Sequence, residues 1–350
     1  MFFLRKKIQF VDDFNVISGN YLQSNIIKNK NDENLNVSKI NFNHLFSFGN
    51  YEIAVDDLNK GLILNKDLIE FDFVDKFRLS SISYPYIIYY IKSNPRKYGL
   101  FDFLNKSVIS EANEWLGSDV FFENVFGCIN GNITCKSIFN QHLKWQTNIS
   151  QIGKYIPFPE AEEKEGDVKN FVGVYKYELI VQLTGGKFIG IDVETGTVNW
   201  EQNKVTINQT SLHFDYNFSD PYHPFLDEEK GMIYILQGEV FIEFNLNTKI
   251  AAYTWTSLEL PTENYVFIRQ SLLVNNKILF SAFRKGNIGN DDTIGIFDIE
   301  TKQIVWQHTF DFEKNNFIPN SQNAIQMNET SVYVLDWKGT LHIFEKENSI

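Results

Sequence analysis

His213, Asp215, Asp220 and His223 lie close together in one segment and are the residues of this chain best suited to chemistry. Imidazole nitrogens and carboxylate oxygens can bind a metal ion through mixed N/O ligands, or can act as an acid–base pair. The segment is also rich in Asx and proline residues, which are typical of an ordinary loop. Because no His-x-x-x-His or Cys-x-x-Cys spacing occurs, the sequence predicts no zinc site. An ordinary loop is favoured, with a small metal or acid–base site as the alternative.

Two other groups of residues invite a chemical interpretation. The segment Gly286–Asp292 has the composition of a phosphate-binding or calcium-binding loop, but a dinucleotide loop must open a helix, and Thr293–Phe297 follows as a strand. The EF-hand ligand register is not found either. Cys128 and Cys135 could face each other on neighbouring strands, but two free buried thiols are the favoured interpretation. The sequence therefore predicts no catalytic residue, no cofactor and no bound metal.

A repeated sequence pattern indicates the structural units in which these residues lie. In its two clearest copies, residues 185–200 and 294–306, a Trp follows an Asp by eight residues and a Thr follows it by three. The repeat anchors, at positions 102, 137, 192, 245, 298 and 345, are spaced by 35 to 55 residues. A period of this size indicates a repeat architecture. The other copies that hold the Asp, Thr and Trp positions in register are Asn245, Thr248 and Tyr253; Ser137, Asn140 and Trp145; and Asp102, Asn105 and Ser110.

Each repeat is composed of short β-branched or aromatic runs separated by Gly and Asx turns, with no sustained period of 3.6 residues. This predicts an all-β closed propeller of four-stranded antiparallel blades in a single domain over residues 1–350, with between six and eight blades and seven favoured. The last unit has room for only two or three strands. We therefore expect a strand within residues 1–11 to pair with it and close the ring. Residues 12–37 are predicted to be a polar connection, and residues 38–350 the repeats.

The Asp-x-x-Thr-Gly-x-x-x-Trp pattern resembles the repeat of the quinoprotein-like (PQQ-like) β-propellers, most strongly over residues 170–350. In that family the Trp docks one blade on the next, and the Thr-Gly forms the turn between the third and fourth strands. The family's quinone-dependent dehydrogenases are exported and carry a vicinal Cys-Cys pair and a Ca²⁺ site. This sequence shows no export signal and no Cys-Cys pair, since Cys128 and Cys135 are seven residues apart. The resemblance thus implies the non-enzymatic branch. The positions to which it assigns the docking role are Trp145, Trp200, Tyr253 and Trp306.

The composition and charge of the chain limit the classes of function that it can have. The formal net charge is −12, and no basic stripe is visible, so we expect no nucleic-acid binding. No secretory signal and no apolar run of 18 residues occurs, so we expect a cytoplasmic protein that does not contact a membrane. We also expect a monomer. The acidity would suit a basic protein partner, although most acidic proteins have none.

The leading hypothesis is a non-catalytic protein–protein interaction module whose contacts lie on propeller-rim loops, in the inserts 151–170, 213–230, 256–266 and 311–322. By analogy it resembles immunity-type or accessory proteins of AT-rich bacteria that mask a partner. The alternative function is a cytosolic propeller hydrolase or lyase with a site at the central channel mouth. Packing of each loop on its own blade is the alternative role for the interface residues. The candidate interface residues are Tyr155, Phe158, Tyr216, Tyr222, His223, Phe225 and Tyr265.

Overall fold

The computed structural model describes the chain in segments, and every regular element in them is a β-strand. For the segments between residues 13 and 83, and between 204 and 217, it describes the backbone only. The described segments are residues 2–9, 13–15, 20–23, 26–28, 44–48, 51–55, 60–63, 69–72, 77–83, 85–91, 94–105, 107–156, 160–202, 204–206, 215–217, 224–237, 240–255, 267–283, 290–319 and 324–347.

The first eight strands form two small sheets and contribute one strand to a third. They are β1 (Phe2–Ile8), β2 (Asp13–Asn15), β3 (Asn20–Gln23), β4 (Ile26–Lys28), β5 (His44–Phe48), β6 (Tyr51–Val55), β7 (Lys60–Ile63) and β8 (Ile69–Asp72). Strands β2–β4 form a three-stranded sheet and β5–β8 a four-stranded one. The region predicted to be a polar connection, residues 12–37, thus contains three short strands, and its polar stretch 29–37 lies outside the described residues.

The next twelve strands form three consecutive four-stranded sheets, β9–β12, β13–β16 and β17–β20. They are β9 (Phe77–Ser83), β10 (Tyr86–Ile91), β11 (Lys97–Asp102), β12 (Ser107–Ala112), β13 (Asp119–Phe121), β14 (Asn124–Ile129), β15 (Asn132–Ser137), β16 (Leu143–Asn148), β17 (Val168–Tyr175), β18 (Glu178–Leu183), β19 (Phe188–Asp192) and β20 (Val198–Gln202). In each sheet, neighbours along the chain pair antiparallel.

The remaining strands are β21 (Lys204–Thr206), β22 (Asp215–Asn217), β23 (Phe225–Asp227), β24 (Met232–Gln237), β25 (Val240–Asn245), β26 (Ile250–Trp255), β27 (Phe267–Val274), β28 (Lys277–Phe283), β29 (Thr293–Asp298), β30 (Gln303–Thr309), β31 (Ile325–Met327), β32 (Ser331–Leu335) and β33 (Leu341–Lys346). Strands β21 and β22 pair with each other. The groups β23–β26 and β27–β30 share an eight-stranded sheet in which Gln237 of β24 pairs with Arg269 of β27. With the sheet of β31–β33 and β1, the described residues hold seven groups of four strands, the number that the repeats predict.

The chain packs as two compact units: residues 1–73 with 236–241 and 254–350, and residues 74–235 with 242–253. In the second unit, one core layer lies between the sheets β13–β16 and β17–β20, where Phe126 and Trp145 pack with Leu179 and Ile191. In the first unit, the corresponding layer lies between β27–β30 and β31–β33. Each layer buries apolar faces that one sheet could not bury by itself. The single-domain assignment stays a prediction.

Five of the six repeat anchors, at positions 102, 137, 192, 245 and 298, end the third strand of their sheets and form the turn to the fourth strand, whereas position 345 lies within β33. Asp192 Oδ1 accepts hydrogen bonds from the backbone N–H groups of Glu194 (3.0 Å) and Thr195 (2.7 Å), and Asp298 does the same with Glu300 and Thr301. The residue four positions after the anchor adopts a left-handed φ, which explains the glycine of the template. The residues at that position are Gln141, Gly196, Lys249 and Lys302, with φ between 57° and 74°.

A second backbone bond joins two turns of the same sheet. The N–H of Val193, next to the anchor, donates to the carbonyl of Tyr177 in the turn between the first two strands (2.9 Å). Ile138 and Glu123 make the same bond at 3.1 Å in the preceding sheet. The turns that follow the first and third strands are therefore bonded together at one end of each sheet.

The N-terminal strand completes the last sheet. Strand β1 pairs antiparallel with β33, from Phe2 opposite Lys346 to Ile8 opposite Leu341. The chain's C-terminal region supplies three strands of that sheet, β31–β33, and the N-terminus supplies the fourth. The predicted pairing of the N-terminal strand with the last unit is confirmed.

Deletion of residues 1–10 tests how much β1 stabilises the fold. The deletion leaves β33 as an unpaired edge and removes buried contacts of Ile8. We expect the melting temperature, followed by circular dichroism, to fall by at least about 5 °C. The variant Arg5→Ala, which shortens an exposed side chain on the same strand, is the control and should change it little. An unchanged melting temperature after the deletion would show that β1 is not a stabilising element.

Candidate functional site

All three tryptophans assigned a docking role contact the strands that follow their own sheet, and two of them do so through the indole N–H. The Trp145 indole N–H on β16 donates to the backbone carbonyl of Val193, which follows β19 (2.6 Å). The Trp306 indole on β30 donates to the carbonyl of Phe2 on β1 (3.1 Å), and the two ring centroids are 5.4 Å apart. Each indole thus bridges two neighbouring sheets.

Trp200 makes its indole hydrogen bond within its own sheet, to Glu178 Oε2 at 2.8 Å. The link to the following group of strands comes from Phe244, whose ring centroid lies 5.7 Å from that of Trp200, and from Lys249. The Lys249 Nζ lies 4.1 Å from the Trp200 ring centroid and 3.0 Å from Glu178 Oε2. Burial alone would raise the pKa of Glu178, but hydrogen bonds from Trp200, Asn199 and Lys249 outweigh it and lower the pKa. Glu178 is therefore a carboxylate held between an indole and an ammonium group.

The structure places two predicted interface side chains against the body of the protein. Tyr155 is half-buried, its backbone pairs with Lys164, and its ring covers Gly185, where a Cβ would stand 2.6 Å from a ring atom. Phe225 is partly buried on β23. Strands carry Asp215, Tyr216 and Tyr253, but these side chains lie outside the described residues. Also outside them are Phe158, His213, Asp220, Tyr222, His223 and Tyr265.

Exposed aromatic side chains occupy turns at one end of the second compact unit. Phe122 lies between β13 and β14 and is 71% exposed, and Phe139 lies between β15 and β16 and is 60% exposed. Tyr177 lies between β17 and β18 and is 78% exposed. The bond from Trp145, near the start of β16, to Val193, in the turn after β19, joins these two neighbouring sheets at the same end. Phe122, Phe139 and Tyr177 are termed the aromatic turn surface.

Two of the three aromatic residues have a backbone conformation that bulky side chains avoid. The β13–β14 turn consists of Phe122 (φ 43°) and Glu123 (φ 61°), and the β17–β18 turn of Lys176 (φ 47°) and Tyr177 (φ 64°). Two consecutive positive φ angles are the signature of the type I′ hairpin turn, which favours Asn and Gly. Each such residue costs on the order of 1–3 kcal/mol.

Other hairpins of this chain make the same turn with suitable residues. The β14–β15 turn is Asn130-Gly131, and the β27–β28 turn is Asn275-Asn276, all with positive φ. Among these two-residue hairpin turns, the ones made by residues unsuited to positive φ are therefore the two that carry an exposed aromatic ring. Strain of this kind commonly marks a functional position. The sequence did not indicate these turns, because neither Phe-Glu nor Lys-Tyr carries a turn signal.

Around the aromatic turn surface the exposed charges are mixed. Glu123 and Glu194 are exposed carboxylates in turns at this end. Lys176 donates from Nζ to Asn247 Oδ1 (2.6 Å), and the Tyr175 hydroxyl donates to the same oxygen (2.8 Å). Exposed aromatic rings beside carboxylates and anchored polar groups form a surface suited to binding another macromolecule.

The two cysteines are free thiols, as predicted, with Cys135 buried and Cys128 only partly so. Burial, together with the neighbouring Asp167 carboxylate, raises the pKa of Cys128 to about 12, and burial raises that of Cys135 to about 12. Both thiols stay protonated at neutral pH and are poor nucleophiles. Among the described residues, no three or more His, Cys, Asp or Glu side chains are grouped as metal ligands.

Three solved structures resemble this chain over nearly its whole length. BamB from Moraxella catarrhalis has 11% identity and a TM-score of 0.46, covering 99% of this chain and 100% of that one. The computationally designed Ika8 protein has 11% identity and a TM-score of 0.54, covering 97% and 96%. The C-terminal WD40 domain of Sif2 has 9% identity and a TM-score of 0.53, covering 99% and 100%. No protein-family model and no curated protein matches the chain.

The strand organisation, with the likeness to a WD40 domain, defines an all-β protein of the β-propeller fold. At these identities the likeness shows the fold alone, so membership of the quinoprotein-like family and its non-enzymatic branch stays a prediction. In the part of the chain that the structure describes, there is no helix long and apolar enough to cross a membrane.

Replacement of Glu178 by Gln tests the link between Glu178, Trp200 and Lys249. Because the pKa of folded Glu178 is lowered, the carboxylate stabilises the fold above its unfolded pKa, near 4.5, and this stabilisation is lost as the pH falls through the folded pKa. We expect urea unfolding to show a clear loss of stability in Glu178→Gln at pH 7 and a smaller one near pH 3. The control is Glu194→Gln, which changes an exposed carboxylate in the turn between β19 and β20 of the same sheet, and it should change the stability little at either pH. A difference that does not shrink in acid would contradict this account.

Replacement of Tyr177 by Gly tests the strain in the β17–β18 turn. Glycine adopts positive φ without steric cost, and the backbone carbonyl that accepts the Val193 N–H is retained. We expect the free energy of unfolding to rise by about 1 kcal/mol in chemical denaturation. The control is Asn130→Gly, where asparagine already tolerates the conformation and the gain should be smaller. A loss of stability in Tyr177→Gly would mean that the ring supports the fold.

Proposed function

We propose that this chain is a non-catalytic protein-interaction module that binds its partner through the aromatic turn surface. The observation that carries the proposal is the exposure of Phe122 and Tyr177 in turns that cost stability. A turn with Asn-Gly at these positions would be more stable, so the aromatic residues have no evident role in folding. Aromatic side chains are enriched at the buried centres of protein interfaces, where a few of them supply much of the binding energy.

The rigidity of the surface supports this proposal. Tyr177 and Phe122 project from two-residue turns, and backbone hydrogen bonds join their turns to those of Val193 and Ile138. A partner therefore meets rings whose backbone is already ordered, and binding loses little conformational entropy. Burial of one such ring would contribute about 1.5–3 kcal/mol.

We further propose that the partner is a basic protein, which this chain masks in the manner of an immunity-type protein. The formal net charge of −12 and the exposed carboxylates of Glu123 and Glu194 beside the aromatic rings support this. Complementary charge would speed the association and make it sensitive to salt.

Affinity capture with the double variant Phe122→Gly/Tyr177→Gly tests the proposed function. Tagged wild-type and variant proteins are used on extracts of the native cells at low and high salt, and captured proteins are identified by mass spectrometry. We expect the wild type to capture one stoichiometric basic protein, with affinity at least about tenfold weaker for the variant. High salt should weaken the capture.

The control for this experiment is Trp337→Ala, which removes an exposed aromatic ring in the other compact unit. It should retain the partner. Full retention by the double variant would exclude the aromatic turn surface as the binding site. Capture of no stoichiometric partner by the wild type at any salt concentration would contradict the interaction module itself.

A further inference from the structure

A cavity of about 300 Å³ lies between strands of two neighbouring sheets of the second compact unit. Its lining residues lie around the start of β13 and of β17, whereas the aromatic turn surface lies beyond the other ends of these strands. The cavity and that surface are therefore separate features. The lining residues that matter chemically are Trp115, Asp119, Cys128, Asp167 and Phe171.

The aromatic walls of the cavity are held in place. The Trp115 ring lies against Gly127, where a Cβ would stand 2.5 Å from a ring atom, and the Trp115 carbonyl accepts a bond from Lys136 Nζ (3.3 Å). The Phe171 ring lies 6.3 Å from that of Phe126, which is fully buried. Both rings thus belong to well-packed surroundings.

The two carboxylates of the cavity receive hydrogen bonds from neutral donors in the part of the chain that the structure describes. Asp119 Oδ2 accepts from the Ser118 hydroxyl (2.6 Å). Asp167 Oδ1 accepts from the Cys128 thiol (3.1 Å) and from the Val168 N–H (2.8 Å). Burial raises the pKa of Asp119, and the Ser118 bond offsets this only in part. A raised pKa is expected of a carboxyl group with no cation held against it.

We propose that this cavity binds the protonated amine or guanidinium group of an organic cation. Carboxylates form charge-assisted hydrogen bonds with such groups, and aromatic rings, whose faces attract positive charge, also line the cavity. Lys169 also lines the cavity, so two aspartates and one lysine give its lining a formal charge of −1 when all three are ionised. The volume suits a ligand group the size of one side chain or a small amine.

The loop that leads into Asp167 strengthens the negative field. Glu160, Glu162 and Glu165 are exposed along it and outnumber the exposed Lys164, and Lys154 is paired with Glu163 at 3.1 Å. A field of this sign raises the local concentration of cations. The cation is either a free amine or a Lys or Arg side chain of a protein, and both would use the same chemistry in the cavity.

Titration calorimetry with agmatine, n-butylamine and the uncharged n-butanol tests the proposal on the full-length protein. We expect both cations to bind with one site per chain and the alcohol not to bind. Asp119→Asn and Asp167→Asn, which keep the side-chain shape, should each weaken cation binding by about tenfold. The control Asp311→Asn removes the same charge from an exposed position in the other compact unit and should leave the affinity unchanged.

The source of the cation is distinguished with a capped pentapeptide that carries one central arginine. Tighter binding of the peptide than of agmatine supports a protein side chain as the natural ligand, and binding of the free amines alone supports a small molecule. Absence of cation binding to the wild type, equal binding of n-butanol, or equal weakening by Asp311→Asn would overturn the proposal. Thermal melts of all the variants confirm that a lost affinity is not a lost fold.

Discussion

A four-stranded β-sheet has two faces to bury and cannot bury both by itself, and the rest of this structure depends on that constraint. The sheets meet it by packing face to face, with indole side chains that reach from one sheet to the next. Trp145 donates to the Val193 carbonyl, and Trp306 to that of Phe2. Trp200 shows a variation in which its ring contacts Phe244 and Lys249 of the following strands, while its N–H donates within its own sheet. The contact between sheets is retained although its chemistry changes.

The repeated turns follow from the same constraint, because neighbouring sheets that pack face to face in the same way need turns of the same geometry. Asp192 and Asp298 bind the backbone N–H groups that follow them, and the residue after the anchor bonds to the first turn of its sheet. This brings two turns together at the same end of each sheet. The turns that hold Phe122 and Tyr177 belong to this hydrogen-bonded end of the sheets. Their positive φ angles lower the stability of the fold, and their aromatic rings are exposed.

Opposite ends of the same strands differ in chemistry. The far end of β17 carries Tyr177, while its beginning, next to Asp167, borders a cavity with carboxylates and aromatic walls. The first surface suits hydrophobic contact and the second suits a cation. The Cys128 thiol at the cavity stays protonated.

The sequence by itself determined the strands, the repeated turns and the pairing of β1 with β33, because alternation and Asx turn chemistry are local and the last repeat lacks a strand. It left β2–β8 largely unassigned, since their turns do not carry the spacing from Asp192 to Trp200. Only the tertiary structure decided that Phe122 and Tyr177 are exposed, that Tyr155 packs on Gly185, and that Asp119 and Asp167 line one cavity. Exposure and proximity depend on how separate sheets pack together, and residues far apart in the chain carry no local signal of it.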